Sequence, residues 1–174
     1  HAINRNNIKR KFNMFKTMIT PRIGDTDALR HINNNALPIW FETARNPVFK
    51  IFNPTLELTY KKWNLIMVHC DFNYLKQIYF GYVVVIRTYV TKIGKTSLTL
   101  THEAWQNGKL RANGTCTMVY FDFIKQSSVV IAEDIREKLK EHYITKEDLE
   151  NSNKKEMKEN KNNKESVDYI ESDL

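Results

Sequence analysis

Cysteine, glycine and proline are scarce in this chain of 174 residues. The two cysteines, Cys70 and Cys116, lie 46 positions apart and form no CxxC pair. A disulfide framework or a zinc site is therefore not indicated, and we expect two core thiols in a reducing compartment. Five Gly and four Pro leave little room for a loop-dominated fold. With 41% hydrophobic residues, the composition is that of one globular domain with a sizeable core.

Long hydrophobic runs are also missing. No stretch approaches the roughly 18 apolar residues of a membrane-spanning helix. The basic N-terminal segment is not followed by an apolar stretch, so it does not resemble a secretory signal. We interpret residues 1–13 as a flexible extension; vector-derived or upstream residues in it, with Met14 as the native start, are one alternative that the sequence leaves open. The expected location is the cytoplasm.

Charge is unevenly distributed along the chain. Residues 1–132 contain 18 basic and 7 acidic residues, a net charge of +11, whereas residues 133–174 contain 9 basic and 13 acidic residues, a net charge of −4. A basic body suggests an anionic partner. Nucleic acid is the less favoured one, because the sequence has neither an RNP-like aromatic motif nor a zinc finger.

A long helix is predicted over residues 36–52. Its apolar residues recur every four positions, which places them on one helix face: Ala36, Trp40, Ala44, Val48 and Phe52. One of the asparagines at positions 33–35 is expected to cap the helix. Pro47 removes an amide donor and should kink the helix or end its first part near Asn46.

Strand patterns surround this helix. Residues 14–23 predict a first strand, and residues 65–79 alternate imperfectly, which suggests a bulge. Residues 82–94 and 96–108 show clearer strand patterns, and Asn107-Gly108 is a strong hairpin signal that leads into a further strand. Leu98, Leu100, His102 and Ala104 are predicted to share one face of the strand before this hairpin. The fold class is α+β, with an antiparallel sheet of about five strands around a long helix.

The chain is predicted to divide into four parts. Residues 1–13 form the extension and residues 14–128 form the main domain. Residues 129–149 are predicted to form one amphipathic helix, because apolar residues recur at intervals of four. The low-complexity polar segment that follows, residues 150–174, is expected to be disordered.

The segment DTDALRHINNN concentrates acid and imidazole groups just before the predicted helix. Unpaired backbone N–H groups at a helix start stabilise negative charge. A carboxylate there can attack a carbonyl or activate water, while a helix amide binds the oxyanion. Capping is the competing interpretation of the aspartates and asparagines, and spacing alone does not separate the two.

The run DTDALRHINNNALPIWFETAR, with the later strand ending in YFDF, resembles the hotdog-fold acyl-CoA thioesterases of the 4-hydroxybenzoyl-CoA thioesterase-like group. The resemblance covers residues 15–135. The Asp, His and paired Asn spacing is also similar to acyl-ACP thioesterases. Leu29, where that branch often has Asn, and Pro47, in a helix that is usually continuous, depart from the pattern.

The resemblance implies roles for particular residues. Asp27 matches the catalytic carboxylate, and Asp25 is expected to orient the turn. The backbone N–H near Asn34 matches the group that polarises the thioester carbonyl. His31 and Asn33 match assisting or orienting residues, and Glu42 matches the helix acid of the acyl-ACP branch.

The implied activity is hydrolysis of an acyl-CoA to the free acid and coenzyme A, by a homodimer or homotetramer. Coenzyme A is part of the substrate, and no cofactor or metal is expected. The alternatives are an acyl-ACP thioesterase and a noncatalytic hotdog module that binds acyl groups or serves in assembly. Basic residues of the strands and turns are candidate contacts for the coenzyme A phosphates: Arg87, Lys92, Lys95, Lys109 and Arg111.

Overall fold

The computed structural model describes residues 13–163. Its strands are β1 (Phe15–Ile19), β2 (Leu65–Cys70), β3 (Asn73–Tyr74), β4 (Val84–Ile93), β5 (Ser97–Gln106), β6 (Lys109–Asp122) and β7 (Ser127–Ser128). The helices are α1 (Ala36–Ala44), α2 (Asn46–Phe52), α3 (Glu133–Lys140) and α4 (Lys146–Asn162). The longer strands form one antiparallel sheet in the order β1-β4-β5-β6-β2, and the two-residue strands β3 and β7 pair with β6.

The predicted helix is present as two consecutive helices, α1 and α2. All five apolar residues at four-residue spacing are buried: Ala36, Trp40, Ala44, Val48 and Phe52. The break falls between Ala44 and Asn46, as expected for Pro47, which occupies the first turn of α2. Proline is tolerated there because the first amides of a helix have no partner within it.

One face of the sheet, the inner face, packs against α1 and α2. Alternate residues of β5 point to this face, and all four residues predicted to share a face are buried on it: Leu98, Leu100, His102 and Ala104. α1 packs with apolar residues of β4 and β6 such as Ile86 and Ala112, and α2 packs with Met118 and Leu139 among others. The arrangement is the expected α+β hotdog fold, with the sheet wrapped around the helix.

The β5–β6 hairpin forms at the predicted turn. Asn107 and Gly108 have φ values of 52° and 70°, the left-handed pair that a two-residue type I′ turn requires. The turn sets the pairing of the two longest neighbouring strands, which extends from Gln106↔Lys109 to Ser97↔Val119.

The irregular strand predicted over 65–79 lies at one edge of the sheet. β2 pairs with β6, and its register shifts between Met67 and His69. Beyond the shift the chain approaches β6 so closely that a Cβ on Gly114 would overlap the carbonyl oxygen of Asp71. Met67 and Val68 are 38% and 59% exposed along this edge, so β2 presents apolar side chains to its surroundings.

The single helix predicted over residues 129–149 is confirmed only in part, and the disorder expected from residue 150 onward is wrong for residues 150–162. Residues 129–132 are not helical, a break follows α3, and α4 continues to Asn162. The segment expected to be disordered is rich in Lys and Glu, which favour helices. Thr145 caps α4 by accepting a hydrogen bond from the N–H of Asp148. Composition alone missed the contacts that anchor this helix.

α4 covers the opposite, outer face of the sheet. Glu103, which neighbours inward-facing His102 on β5, accepts a hydrogen bond from Asn153 of α4. Arg87 of β4 donates two hydrogen bonds of 2.7 Å to the carboxylate of Glu156. Leu149 is buried at 4% exposure. The two faces of one sheet therefore carry helices held by different kinds of contact.

The predicted N-terminal extension and the last part of the predicted tail, residues 1–12 and 164–174, lie outside the described residues. Within the described part, no helix is both long and apolar enough to cross a membrane.

Candidate active site

A tight turn between β1 and α1 holds the carboxylate of Asp27. Its Oδ1 accepts hydrogen bonds from the N–H of Leu29 at 2.8 Å and the N–H of His31 at 3.2 Å. The N–H of Asp27 donates to the carbonyl of His31 at 2.8 Å. No described residue hydrogen-bonds to Oδ2, and Asp27 is exposed. The turn thus holds one carboxylate oxygen and presents the other outwards.

Asp25 has a different environment from Asp27. It is 7% exposed, and its carboxylate accepts hydrogen bonds from the backbone N–H and the guanidinium of Arg22. The hydrogen bond from the Arg22 side chain lowers the pKa of Asp25. Its carbonyl also accepts the N–H of Asn33 at 2.7 Å. These contacts tie Asp25 into the base of the turn.

The asparagines at the start of α1 do not cap it in the expected way. Asn35 occupies the cap position but makes no side-chain capping bond. Asn33 Oδ1 accepts the N–H of Asn35 at 2.9 Å, and the carbonyl of Asn34 accepts the hydroxyl of Tyr74 at 2.8 Å. Among the described residues, no acceptor takes the N–H of Asn34. An amide donor is therefore available where the partial positive charge of α1 lies.

His31 closes the turn against a loop that follows β3. Its backbone forms an isolated bridge with Tyr79. The rings of the same two residues meet edge to face, with centroids 5.3 Å apart. The imidazole of His31 is half-buried, within the turn that carries Asp27.

Glu42 is separated from this turn. It lies on α1, six residues from Ala36, or about 9 Å along the helix axis. It lines a groove of about 470 Å³ that follows α1 and α2 and includes Arg45, Phe49, Leu58, Trp63 and Met67. We call this the helix groove. The turn brings together Asp27, His31, Asn33 and Asn34, whereas Glu42 belongs to the groove.

Residues 21–139 match the family model of the thioesterase-like superfamily. The chain belongs to the thioesterase-like superfamily. A structure from Bacillus stearothermophilus described as a predicted thioesterase is 41% identical, with a TM-score of 0.72; the match covers 76% of this chain and 98% of that one. No curated protein matches.

More distant structures share the fold of this thioesterase-like chain. The Staphylococcus aureus protein SAV2348, in complex with CoA, is 16% identical with a TM-score of 0.68, over 77% of this chain and 88% of that one. A Thermus thermophilus thioesterase complexed with coenzyme A and Zn is 24% identical with a TM-score of 0.63, over 74% and 98%. α4 begins after the residues that match the family model.

A buried polar set lies behind the helix groove of this thioesterase-like domain. Thr88 Oγ1 hydrogen-bonds to His102 Nδ1 at 2.8 Å, and His102 Nε2 lies 3.9 Å from Cys116 Sγ. Burial lowers the pKa of His102 to about 3 and raises the pKa of Cys116 to about 11. Both groups are neutral near pH 7, so this is not an activated thiol–base pair.

Arg45 adjoins the same set and was missed as a candidate from the sequence. It is 6% exposed, and its Nε has no hydrogen-bond acceptor among the described residues. Its charge contributes to the low pKa of His102. An arginine at the end of a helix gives no sequence signal of burial, since arginine is usually exposed.

The structure corrects two expectations, one about the burial of a cysteine and one about the candidate contacts for the coenzyme A phosphates. Cys70 is exposed on β2 rather than in the core, although both cysteines are unpaired. Arg87 and Arg111 are poor candidates for phosphate contacts, because Arg87 pairs with Glu156 and Arg111 is 2% exposed. No cluster of three metal-ligating side chains occurs in the part of the chain that the structure describes.

Proposed function

We propose that this chain hydrolyses acyl-CoA thioesters and that Asp27 is the catalytic carboxylate. The observation that carries the proposal is the turn itself. It holds Asp27 Oδ1 with two backbone N–H groups and leaves Oδ2 without a hydrogen-bond donor among the described residues, seven positions before Asn34, whose N–H has no acceptor among the same residues. The family and the CoA-bound structures of similar fold support a thioester as the substrate.

The proposed reaction places the thioester carbonyl oxygen at the start of α1. The N–H of Asn34 donates a hydrogen bond to that oxygen and stabilises the negative charge of the tetrahedral intermediate. Oδ2 of Asp27 either attacks the carbonyl carbon or removes a proton from an attacking water. Either way the C–S bond breaks and coenzyme A leaves as the thiolate, which then takes a proton. In the first route, water cleaves the mixed anhydride.

His31 and Asn33 act as orienting residues in this proposal. His31 donates its N–H to Asp27 and packs on Tyr79. Asn33 accepts the N–H of Ala36 through its carbonyl and the N–H of Asn35 through its side chain. In this proposal Asn33 fixes the direction of the first amides of α1, which bind the thioester carbonyl, and His31 fixes the position of the Asp27 carboxylate.

The helix groove is the proposed site for the acyl group. It follows α1 away from the turn, and Phe49, Trp63 and Met67 make its lining largely apolar. Glu42 stands within this groove. A volume of about 470 Å³ is within the range of small-molecule sites. The basic body of the chain, with a net charge of +11 over residues 1–132, attracts the coenzyme A phosphates.

A homodimer formed through β2 is part of the proposal. β2 is an edge strand with exposed apolar side chains, and Met67 lines the helix groove as well. An unpaired edge of this kind favours association with another strand. The two unpaired cysteines fit the proposed cytoplasmic location.

An acyl-CoA panel with a thiol reagent tests the activity. Asp27→Asn should lower kcat by about 10²-fold or more, because the carboxylate acts in the transition state. The matched control is Asp122→Asn, since Asp122 Oδ1 also accepts two N–H groups of its own turn, from Ile124 and Lys125, at the end of β6. Turnover that survives Asp27→Asn unchanged rejects the catalytic assignment.

The same panel separates the alternatives. Faster hydrolysis of acyl-ACP than of the matching acyl-CoA would move the assignment to the acyl-ACP branch. Binding of acyl-CoA without hydrolysis would indicate a noncatalytic module. Asp27→Asn should leave binding largely intact in either case, because the acyl group and the phosphates contact other residues.

A further inference from the structure

Gln106, at the end of β5, reaches across to a loop that carries no regular secondary structure. It is 1% exposed. Its Oε1 accepts the N–H of Tyr79 at 3.0 Å, and its Nε2 donates to the carbonyls of Tyr79 and Tyr82 at 2.9 and 3.1 Å. One buried amide therefore satisfies three backbone groups of a segment 24 to 27 residues away along the chain.

Arg111 holds the same loop from the neighbouring strand. The pairing of β5 and β6 passes from Ala104↔Ala112 to Trp105↔Leu110, which makes Arg111 the extra residue of a bulge. Its Nε donates to the carbonyl of Gln106 at 3.2 Å, and its Nη1 donates to the carbonyl of Gln77 at 3.1 Å.

The backbone of the bulge contributes as well. The carbonyl of Arg111 accepts the N–H groups of Leu75 and Lys76 at 2.9 and 2.8 Å. We call Gln106 and Arg111 the loop clamp, and residues 75–82 the clamped loop. The clamp replaces the strand pairing that this segment lacks.

The clamped loop in turn holds the turn that carries Asp27. The N–H of Ile32 donates to the carbonyl of Ile78 at 2.8 Å, and the N–H of Phe80 donates to the carbonyl of Arg30 at 3.2 Å. His31, which lies between these two contacts, donates its own N–H to Asp27. Hydrogen bonds linked through adjacent backbone residues therefore lead from buried Gln106 to the Asp27 carboxylate.

We propose that Gln106 and Arg111 are positioning residues for thioester hydrolysis, acting on Asp27 through the clamped loop. The inference rests on the proposed function of Asp27. Neither clamp residue contacts the reacting atoms. Their effect is to keep the Asp27 turn in one conformation relative to the start of α1, and displacement of a catalytic group by about 1 Å can cost about 10²-fold in rate.

Gln106→Met tests the proposal, because it keeps the side-chain length and removes all three hydrogen bonds. We expect kcat to fall by roughly tenfold or more while KM changes by less than about threefold, since the variant affects an interaction made in the transition state. Amide hydrogen exchange at Asp27, Ile32 and Tyr79 should become faster than in the wild type, because these N–H groups lie along the series.

Asn153→Leu is the matched control. It also removes a buried amide hydrogen bond, but on the outer face, where Asn153 contacts Glu103. It should lower stability without changing kcat or the exchange of residues 27–32. A parallel loss of kcat in this control would show that Gln106→Met acts only through general destabilisation, and would overturn the proposal.

Hydrogen exchange separates this proposal from the proposed function. Should the wild type hydrolyse no thioester, the proposed function fails, while faster exchange at residues 27–32 in Gln106→Met still supports the clamp. Unchanged exchange at those residues overturns the clamp whatever the activity. If Gln106→Met does not fold, Arg111→Lys, which keeps the charge and loses the guanidinium fork, is expected to show the same changes at smaller size.

Discussion

The inner and outer faces of the sheet are built from the same strands but are stabilised differently. On β5, Leu100 points inwards and is fully buried, whereas its neighbour Thr99 points outwards and hydrogen-bonds to Thr117 at 3.1 Å. The inner face meets α1 and α2 through apolar side chains. The outer face meets α4 through Arg87–Glu156 and Glu103–Asn153, together with buried Leu149. Apolar packing secures the inner side, whereas directional polar pairs add to the packing on the outer side.

This difference separates the family's fold from an added element. Apart from β1, the inner face lies within residues 21–139, which match the thioesterase-like superfamily, and α4 lies beyond them. Apolar burial depends on area and tolerates changes of pH and salt, whereas charged pairs depend on both. The destabilisation caused by a substitution on the outer face should therefore depend on pH and salt. On the inner face it should depend on the side-chain volume that the substitution removes.

The largest expected effect comes from truncating an inner residue. Leu100→Ala should lower the free energy of unfolding by about 3 kcal/mol, because it removes buried methyl groups and leaves a cavity. Thr99→Ala, one position away on the outer face, should cost less than about 1 kcal/mol. Urea unfolding of both variants measures the difference, and similar losses would contradict the contrast between the faces.

The inner face also carries a group whose charge depends on pH near neutrality, His102. Its pKa of about 3 in the fold lies below its ordinary value of 6.5, so below pH 6.5 the unfolded chain binds a proton that the folded chain does not. Stability should fall as the pH drops from 6.5 towards 3, by up to about 1.4 kcal/mol per pH unit. His102→Leu should flatten this part of the stability curve; an unchanged slope would assign it to other groups.

On the outer face, Asn153→Leu should cost about 1–2 kcal/mol, since it leaves buried Glu103 with one donor fewer. Burial raises the pKa of Glu103, and the Asn153 hydrogen bond opposes this. A carboxyl group whose pKa is raised in the folded state contributes stability at low pH, and this contribution is lost as the pH rises through the raised pKa. The cost of the variant should therefore be larger at pH 8 than at pH 5, measured by urea unfolding at each pH.

The smallest effect is expected for Glu156→Gln, less than about 1 kcal/mol, because the ion pair with Arg87 is partly exposed. The Arg87 side chain lowers the pKa of Glu156. The contribution is thus present above the ordinary value of 4.5 and is lost as the pH falls through the lowered pKa. The stability contributed by the ion pair should also shrink in 1 M salt, because salt screens the attraction between the two side chains. A cost independent of pH and salt would show that packing, not charge, holds α4.

Elements with strong local signals were predicted well from the sequence. Apolar residues at four-residue spacing identified the helix over 36–52, Pro47 identified its break, and Asn107-Gly108 identified the hairpin. In each case the deciding interaction lies within a few residues along the chain. The helix α4 was not predicted, because its anchoring residues act through contacts with strands that are distant in sequence, as Asn153 and Glu156 do with β5 and β4.

The candidate site was predicted in part. The motif located Asp27, His31, Asn33 and Asn34 in one segment, and their roles stay predictions. The motif could not show that Asn33 accepts the N–H of Asn35, or that the N–H of Asn34 has no acceptor among the described residues. Nor could it show that Glu42 lies in a separate groove. It gave no indication of Gln106 or Arg111, because a bulge and a contact across 27 residues leave no short-range pattern.

By itself, the sequence determined the fold class, the family and the segment that carries the candidate carboxylate, because periodicity and motif spacing are local properties of the chain. The tertiary structure alone decided which polar groups are buried, paired or left open. His102, Arg45 and Glu103 are ordinary polar residues in the sequence, and burial gives them their altered character. Burial and long-range hydrogen bonding depend on chain segments far apart in sequence, so they arise only when those segments pack together.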